Sequence, residues 1–308
     1  MRPPSELEES LNADESNGTV TWRELLNEAR RRLAESGVTD TDMDARRIVE
    51  HASGFEGAEF VLGLDRHCTV RGVAAFDSMM KRRIAGEPLQ YVLGSWGFRT
   101  LDLLVDNRVL IPRPETEQVV EWALKEIDRI AEVVRERAIV VADLGTGSGA
   151  IGLSIVAERE RTEVWATDIS AAALDVTRAN LAGLGRPAAR VRLGEGSWFT
   201  ALPSQLCGTL DVIISNPPYV AESEVLPDEV ARWEPPVALV SGVTGIEALS
   251  IVIEDAPRWL SRPGALVVEL APNQAGELSA VATAAGFDEV VIADDFAGRQ
   301  RALIARIH

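Results

Sequence analysis

The sequence predicts an α/β protein: a mostly parallel, seven-stranded sheet covered by helices and preceded by a small helical domain. Three observations carry that expectation. From Ala138 to the C-terminus, apolar runs of strand length alternate with helical patterns, as in repeated strand–helix–strand units. The first run, Val140-Val141-Ala142-Asp143, leads into Leu144-Gly145-Thr146-Gly147-Ser148-Gly149, a turn whose glycines permit close backbone approach to a ligand at a strand end. Upstream, residues 19 to about 87 show helical periodicity without a strand signal.

Taken in order, residues 1–18 are polar and acidic with few apolar anchors, which predicts a disordered tail. Thr21 with Glu24 three residues later reads as a capping box, and Trp22, Leu25, Leu26, Ala29 and Leu33 follow at helical spacing. Further helices are expected around Asp42–His51, Glu56–Leu62 and Val70–Ala85, completing a helical domain over 19–87. Gly86-Glu87-Pro88 breaks the pattern, and the short apolar pieces beyond it, separated by glycine, predict a hairpin linker over 88–112. The second domain, 113–308, opens with a helix from about Glu115 to Val134. Strands are expected near 138–143, 163–167, 189–193, 210–215, 264–270, 288–293 and 301–306, with helices near 149–159, 170–183, 244–260 and 273–285. The two closely spaced final strands predict an antiparallel hairpin.

Composition narrows the function classes. At 308 residues, 46% hydrophobic and 26% charged, the chain is of ordinary globular character. No apolar run approaches the ~18 residues of a membrane span, and the N-terminus lacks the layout of a signal peptide. Cys68 and Cys207 are far apart and are the only cysteines, which excludes a disulfide framework or a CxxC metal site and predicts a cytoplasmic protein. A net charge of −17 disfavours general attraction to nucleic acid.

Two strings carry chemistry. Asp168 closes the strand after the glycine loop, about 20 residues on, where a carboxylate can accept both hydroxyls of a ribose. Gly147 to Gly152 matches GxGxxG, so a dinucleotide fits, while Asp143-x-Gly145-x-Gly147-x-Gly149 is similar to the loop of S-adenosylmethionine-dependent methyltransferases. Asn216-Pro217-Pro218-Tyr219 follows the strand Leu210–Ser215. Its prolines stiffen the loop, leaving one amide and one ring to grip a planar NH2 group. A sheet of order 3-2-1-4-5-7-6 puts the first and fourth strands side by side, so both loops face one crevice.

Asn216-Pro217-Pro218-Tyr219 resembles the loop of amino-methyltransferases acting on planar nitrogens. Further segments are similar to the release factor glutamine N5-methyltransferase (PrmC/HemK) family: Gly86-Glu87-Pro88-Leu89-Gln90-Tyr91, Ile111-Pro112-Arg113-Pro114-Glu115-Thr116-Glu117, Asp143–Gly149, Asp168-Ile169-Ser170, Glu234-Pro235-Pro236-Val237-Ala238-Leu239 and Gly298-Arg299-Gln300-Arg301. The resemblance spans roughly residues 20–308. It implies a Rossmann-like, seven-stranded class I methyltransferase domain that uses S-adenosyl-L-methionine, with peptide chain release factors as protein substrate and the Gly-Gly-Gln glutamine as acceptor. It implies cofactor binding by Gly145, Thr146, Gly147, Ser148, Gly149, Asp168, Trp198 and Asn216. Substrate binding falls to Asn216, Pro217, Pro218 and Tyr219, with Asn216, Pro217 and Tyr219 catalytic and no metal. Arg113 and Glu115 border the substrate entrance or simply open a helix. An amino-methyltransferase acting on adenine or guanine in nucleic acid is the alternative. Ala271-Pro272 departs from the family, which more often has glycine after the Glu-hydrophobic pair, so a stiffer turn is expected there.

Overall fold

The computed structural model describes residues 20–308, so the tail expected over 1–18 lies outside the described residues. The chain divides into two compact units, the first ending at Gly94 and the second spanning Ser95–His308.

The first unit is helical. Helix α1 (Trp22–Glu35) begins with the expected capping box: Glu24 N donates to Thr21 Oγ1 at 3.3 Å, and Thr21 N donates to Glu24 Oε2 at 2.7 Å. Its buried face is the anticipated Trp22, Leu25, Leu26, Ala29 and Leu33. Helices α2 (Thr41–Ser53), α3 (Gly57–Gly63) and α4 (Val70–Ile84) pack with it. Leu89–Leu93 forms a fifth short helix, α5, where the sequence suggested the start of a hairpin. Leu89 and Val92 bury into the core around Trp22, Ile48 and Phe76. Arg82 also donates to the carbonyls of Tyr91 (2.7 Å) and Val92 (3.0 Å), satisfying acceptors that the end of so short a helix leaves open. The left-handed Gly94 ends it.

The second unit opens with the hairpin β1 (Ser95–Phe98) and β2 (Leu101–Leu104). Arg99 at its tip has φ +52° and is held by Glu158, at 2.6 and 2.7 Å, and by the Glu117 carbonyl at 2.9 Å. Helix α6 (Pro114–Val133) follows, with Pro at its first position. Then come β3 (Ile139–Leu144), α7 (Ala150–Glu158), β4 (Thr162–Asp168), α8 (Ala171–Gly183), β5 (Val191–Glu195) and β6 (Leu210–Ser215). Helix α9 (Asp228–Trp233), α10 (Glu247–Trp259), β7 (Leu260–Glu269), α11 (Ala275–Ala284), β8 (Glu289–Asp294) and β9 (Gln300–Ile307) complete the unit.

The sheet order β5-β4-β3-β6-β7-β9-β8 is the anticipated 3-2-1-4-5-7-6. The first five strands run parallel and β9 is antiparallel to both neighbours, as expected of the closing hairpin. Val141, Val212 and Val267 face α6 and α7 on one side, while Ala142, Ile213 and Leu266 face α10 and α11 on the other. Burial on both faces explains why these strands read as unbroken apolar runs rather than as alternation.

Candidate active site

The turn after β3 is shaped by its buried acid. Asp143 Oδ2 accepts from Thr146 Oγ1 at 2.5 Å and from Gly152 N at 2.9 Å, fastening the turn to the first residues of α7. Its other oxygen, Oδ1, is buried without a hydrogen-bond partner. Burial pushes the carboxyl up to about 6, against the pull of those two donors. Gly149 caps α7 at φ +87°, a conformation that L side chains rarely adopt. At the end of β4, Asp168 accepts one bond on each oxygen, from Gly147 N and Ser170 N, both at 2.9 Å. A carboxylate has about four acceptor positions, so further donors can be taken. Burial raises this acid as well. Trp198 holds φ +47°, costly for a side chain of that size, and its ring lies against Gly145.

Three element ends meet on the other side of the crevice. Ser215 Oγ donates to the Leu144 carbonyl at 2.6 Å, tying β6 to β3 just before Asn216. Asn216 Nδ2 donates to Thr116 Oγ1 at 3.3 Å, and Thr116 Oγ1 donates to Glu269 Oε2 at 2.7 Å. Tyr219 turns its hydroxyl toward the other Glu269 oxygen at 3.4 Å. Burial pushes the Glu269 carboxyl up to about 7, although the Thr116 hydrogen bond and the Arg301 cation pull it down. Burial also raises the Tyr219 phenol. The Ala271-Pro272 turn runs into a short 3-10 turn, Pro272–Gln274. From there Gln274 Nε2 donates to the carbonyls of Tyr219 (2.9 Å) and Gly245 (3.1 Å), bracing the Asn-Pro-Pro-Tyr loop.

A cavity of about 270 Å³ joins these parts. Gly145, Thr146, Gly147, Ser148, Asp168, Trp198, Asn216 and Pro218 line it; Gly149, Pro217 and Tyr219 adjoin these in sequence and are not among the lining residues. Arg113 lines it too, whereas Glu115 points elsewhere and meets Arg299 at 3.4 Å. The segment 108–112, expected as linker, supplies Arg108, Val109, Leu110 and Pro112 to one wall. Arg113 is paired with the buried Glu234, which also accepts from Ile111 N at 3.2 Å. Thr116 and Glu269 are site residues that sequence reasoning did not single out. Their only local signal was membership of the Pro-Glu-Thr-Glu string and of a strand end. Among the described residues, no cluster of three His, Cys, Asp or Glu side chains could hold a metal, and no helix is long and apolar enough to cross a membrane.

The sheet order, the glycine turn after its first strand and the acid closing its second define a class I methyltransferase fold. Residues 127–232 match the methyltransferase small domain family, and residues 24–94 match the PrmC N-terminal domain. The catalytic domain of human METTL16, solved with an RNA hairpin of the MAT2A 3′ untranslated region, shares the fold. Its TM-score is 0.53 at 13% identity, covering 77% of this chain and 82% of that one. The release factor glutamine methyltransferase of Xylella fastidiosa strain 9a5c is 38% identical over 265 residues, covering 86% of this chain and 92% of its own. Those of Cereibacter sphaeroides and Bifidobacterium longum are each 36% identical, over 281 and 293 residues. They cover 90% and 92% of this chain, and 95% and 98% of their own. The chain belongs to the release factor glutamine methyltransferase family.

Proposed function

We infer that this protein transfers a methyl group from S-adenosyl-L-methionine to the side-chain amide nitrogen (N5) of the glutamine in the Gly-Gly-Gln motif of peptide chain release factors, in the cytoplasm. The observation that carries this reading is the single cavity lined by the glycine turn, Asp168, Trp198 and Asn216 together. The residues fit the cofactor. Asp168 keeps acceptor capacity for vicinal hydroxyls, the glycine turn leaves backbone-width space, and the constrained Trp198 ring offers an adenine a flat face. When bound, the cofactor supplies a methyl group already activated on a sulfonium.

An amide nitrogen is a poor nucleophile because its lone pair is delocalised into the carbonyl. Asn216 Oδ1 and the Pro217 carbonyl are assigned as acceptors for the two N–H bonds of the glutamine. They hold the nitrogen in line and favour positive charge as it develops. Tyr219, with its hydroxyl committed toward Glu269, packs its ring on the amide plane. Positioning and electrostatics are assigned to carry the reaction, and the nitrogen releases one proton to water as its bond to the methyl group forms; no histidine lies among the cavity residues.

The test is labelled methyl transfer to a purified release factor, beside the same factor with its Gly-Gly-Gln glutamine replaced. Label is expected in the intact factor alone. Asn216→Ala should slow transfer on the order of 10²–10³-fold, the range for losing one pre-organised polar group. Near-normal turnover of that variant at saturating substrate, or label in nucleic acid, defeats the reading.

A further inference from the structure

We propose that Thr116 and Glu269 are positioning residues that set the polarity of the Asn216 amide, so that its oxygen rather than its NH2 faces the substrate. This rests on the glutamine reading above and extends it to specificity. A carboxylate only accepts, so the single Thr116 hydroxyl hydrogen goes to Glu269 across 2.7 Å. Thr116 Oγ1 is then left with lone pairs alone on its other side, where Asn216 lies 3.3 Å away. Only the NH2 end of Asn216 can satisfy that partner. Its Oδ1 is thereby turned outward, the polarity needed to accept from a glutamine NH2 and to repel a glutamate carboxylate at the same position.

The relay stands on rigid supports. Thr116 occupies the first turn of α6, with its own N–H donated to Arg113 O at 3.1 Å, and its β-branch restricts χ1. Glu269 is the last residue of β7, and Asn216 directly follows β6, the strand paired with β7 through Ser215 and Val268. The groups acting on Glu269 are Thr116, Tyr219, Arg301 and, by charge alone, Glu115, with Asp295 engaging Arg301 at 3.5 Å and Arg113 acting on Tyr219. Because Glu269 titrates at about 7, acidification supplies a hydrogen on the carboxyl that can reverse the relay.

Thr116→Val removes the acceptor and frees the amide to rotate; Thr116→Ser retains the hydroxyl. Binding of the release factor is compared with that of the same factor carrying glutamate in place of its Gly-Gly-Gln glutamine. Wild type and Thr116→Ser should prefer glutamine, and Thr116→Val should lose at least about tenfold of that preference. Its turnover should fall, and Thr116→Ser should keep turnover near wild type. Wild-type turnover should decline as pH drops through about 7, and Glu269→Gln should lack that limb. Unchanged preference and turnover in Thr116→Val overturn the proposal. Neutron diffraction of the wild-type protein locates the hydroxyl hydrogen without any substrate. Deuterium on Thr116 Oγ1 directed at Glu269 supports the relay, and deuterium directed at Asn216 overturns it. Failure of wild type to label the release factor counts instead against the functional reading.

Discussion

Gly152 shows how much of the glycine turn is held by crowding. In an exposed helix, Gly→Ala gains up to about 1 kcal/mol in helix propensity. Here a Cβ would lie 2.9 Å from Asp143 Oδ2 and 3.1 Å from Val164 Cγ1. Overpacking costs about 1–3 kcal/mol, and displacing a buried hydrogen bond about as much again, so the crowding outweighs the propensity. Gly152→Ala should therefore destabilise by roughly 1–5 kcal/mol in urea unfolding. Gly276, with nothing within 4 Å of its Cβ position, should be neutral or slightly stabilised by the same change. A stabilised Gly152→Ala would mean that Asp143 can move freely. The Asp143 turn, Asp168 and Asn216 were legible because each is a short string with local chemistry. Thr116 and Glu269 were not, since their contact spans 153 positions and nothing local distinguishes a buried acid at a strand end from a solvated one.

At the scale of elements, strand and helix positions in the second unit were readable because apolar runs bounded by glycine leave few alternatives. The 88–112 segment was not. Its glycines suggested one hairpin, whereas Leu89–Leu93 is a helix and residues 108–113 form a cavity wall. Both outcomes are decided by tertiary partners, Arg82 for the first and Glu234 for the second. Glu234→Ala leaves Ile111 N and the Arg113 guanidinium without this partner. Arg113 is 31% exposed and can be rehydrated, so the loss should be about 2 kcal/mol rather than the larger cost of a sealed pair. That corresponds to a melting temperature lower by about 4–8 °C. Cofactor affinity should weaken with it, because the wall loses its tie. Unchanged melting and affinity would show that the segment is held by its apolar residues alone.

Across the described residues, two groups of displaced carboxylates stand out. Those serving the scaffold, such as Glu158 beside Arg99 and Asp106 beside Arg108, are held below their ordinary range by hydrogen bonds from those guanidinium groups. Those at the site, Asp143, Asp168 and Glu269, are raised by burial. The two groups act on stability in opposite pH windows. A depressed acid contributes stability that is lost only as pH falls through its folded-state value, below about pH 4. A raised acid binds its proton more tightly when folded, so between its ordinary and raised values stability falls as pH climbs. Going from pH 8 to 5.5 should therefore stabilise the fold, by about 2 kcal/mol through Glu269 and about 1 kcal/mol through Asp143. Relief of self-repulsion from the net charge of −17 has the same sign, so the slope alone does not identify its source. Glu269→Gln does: it removes one charge of many but most of the site's share. Its urea midpoint should exceed wild type at pH 8 and converge on it near pH 5.5, while its transfer rate stays below wild type at pH 8. A variant that follows the wild-type slope would place the pH dependence in the surface charge. A more stable but slower variant would show that the fold keeps this buried charge, at a loss of stability, for its effect on Asn216.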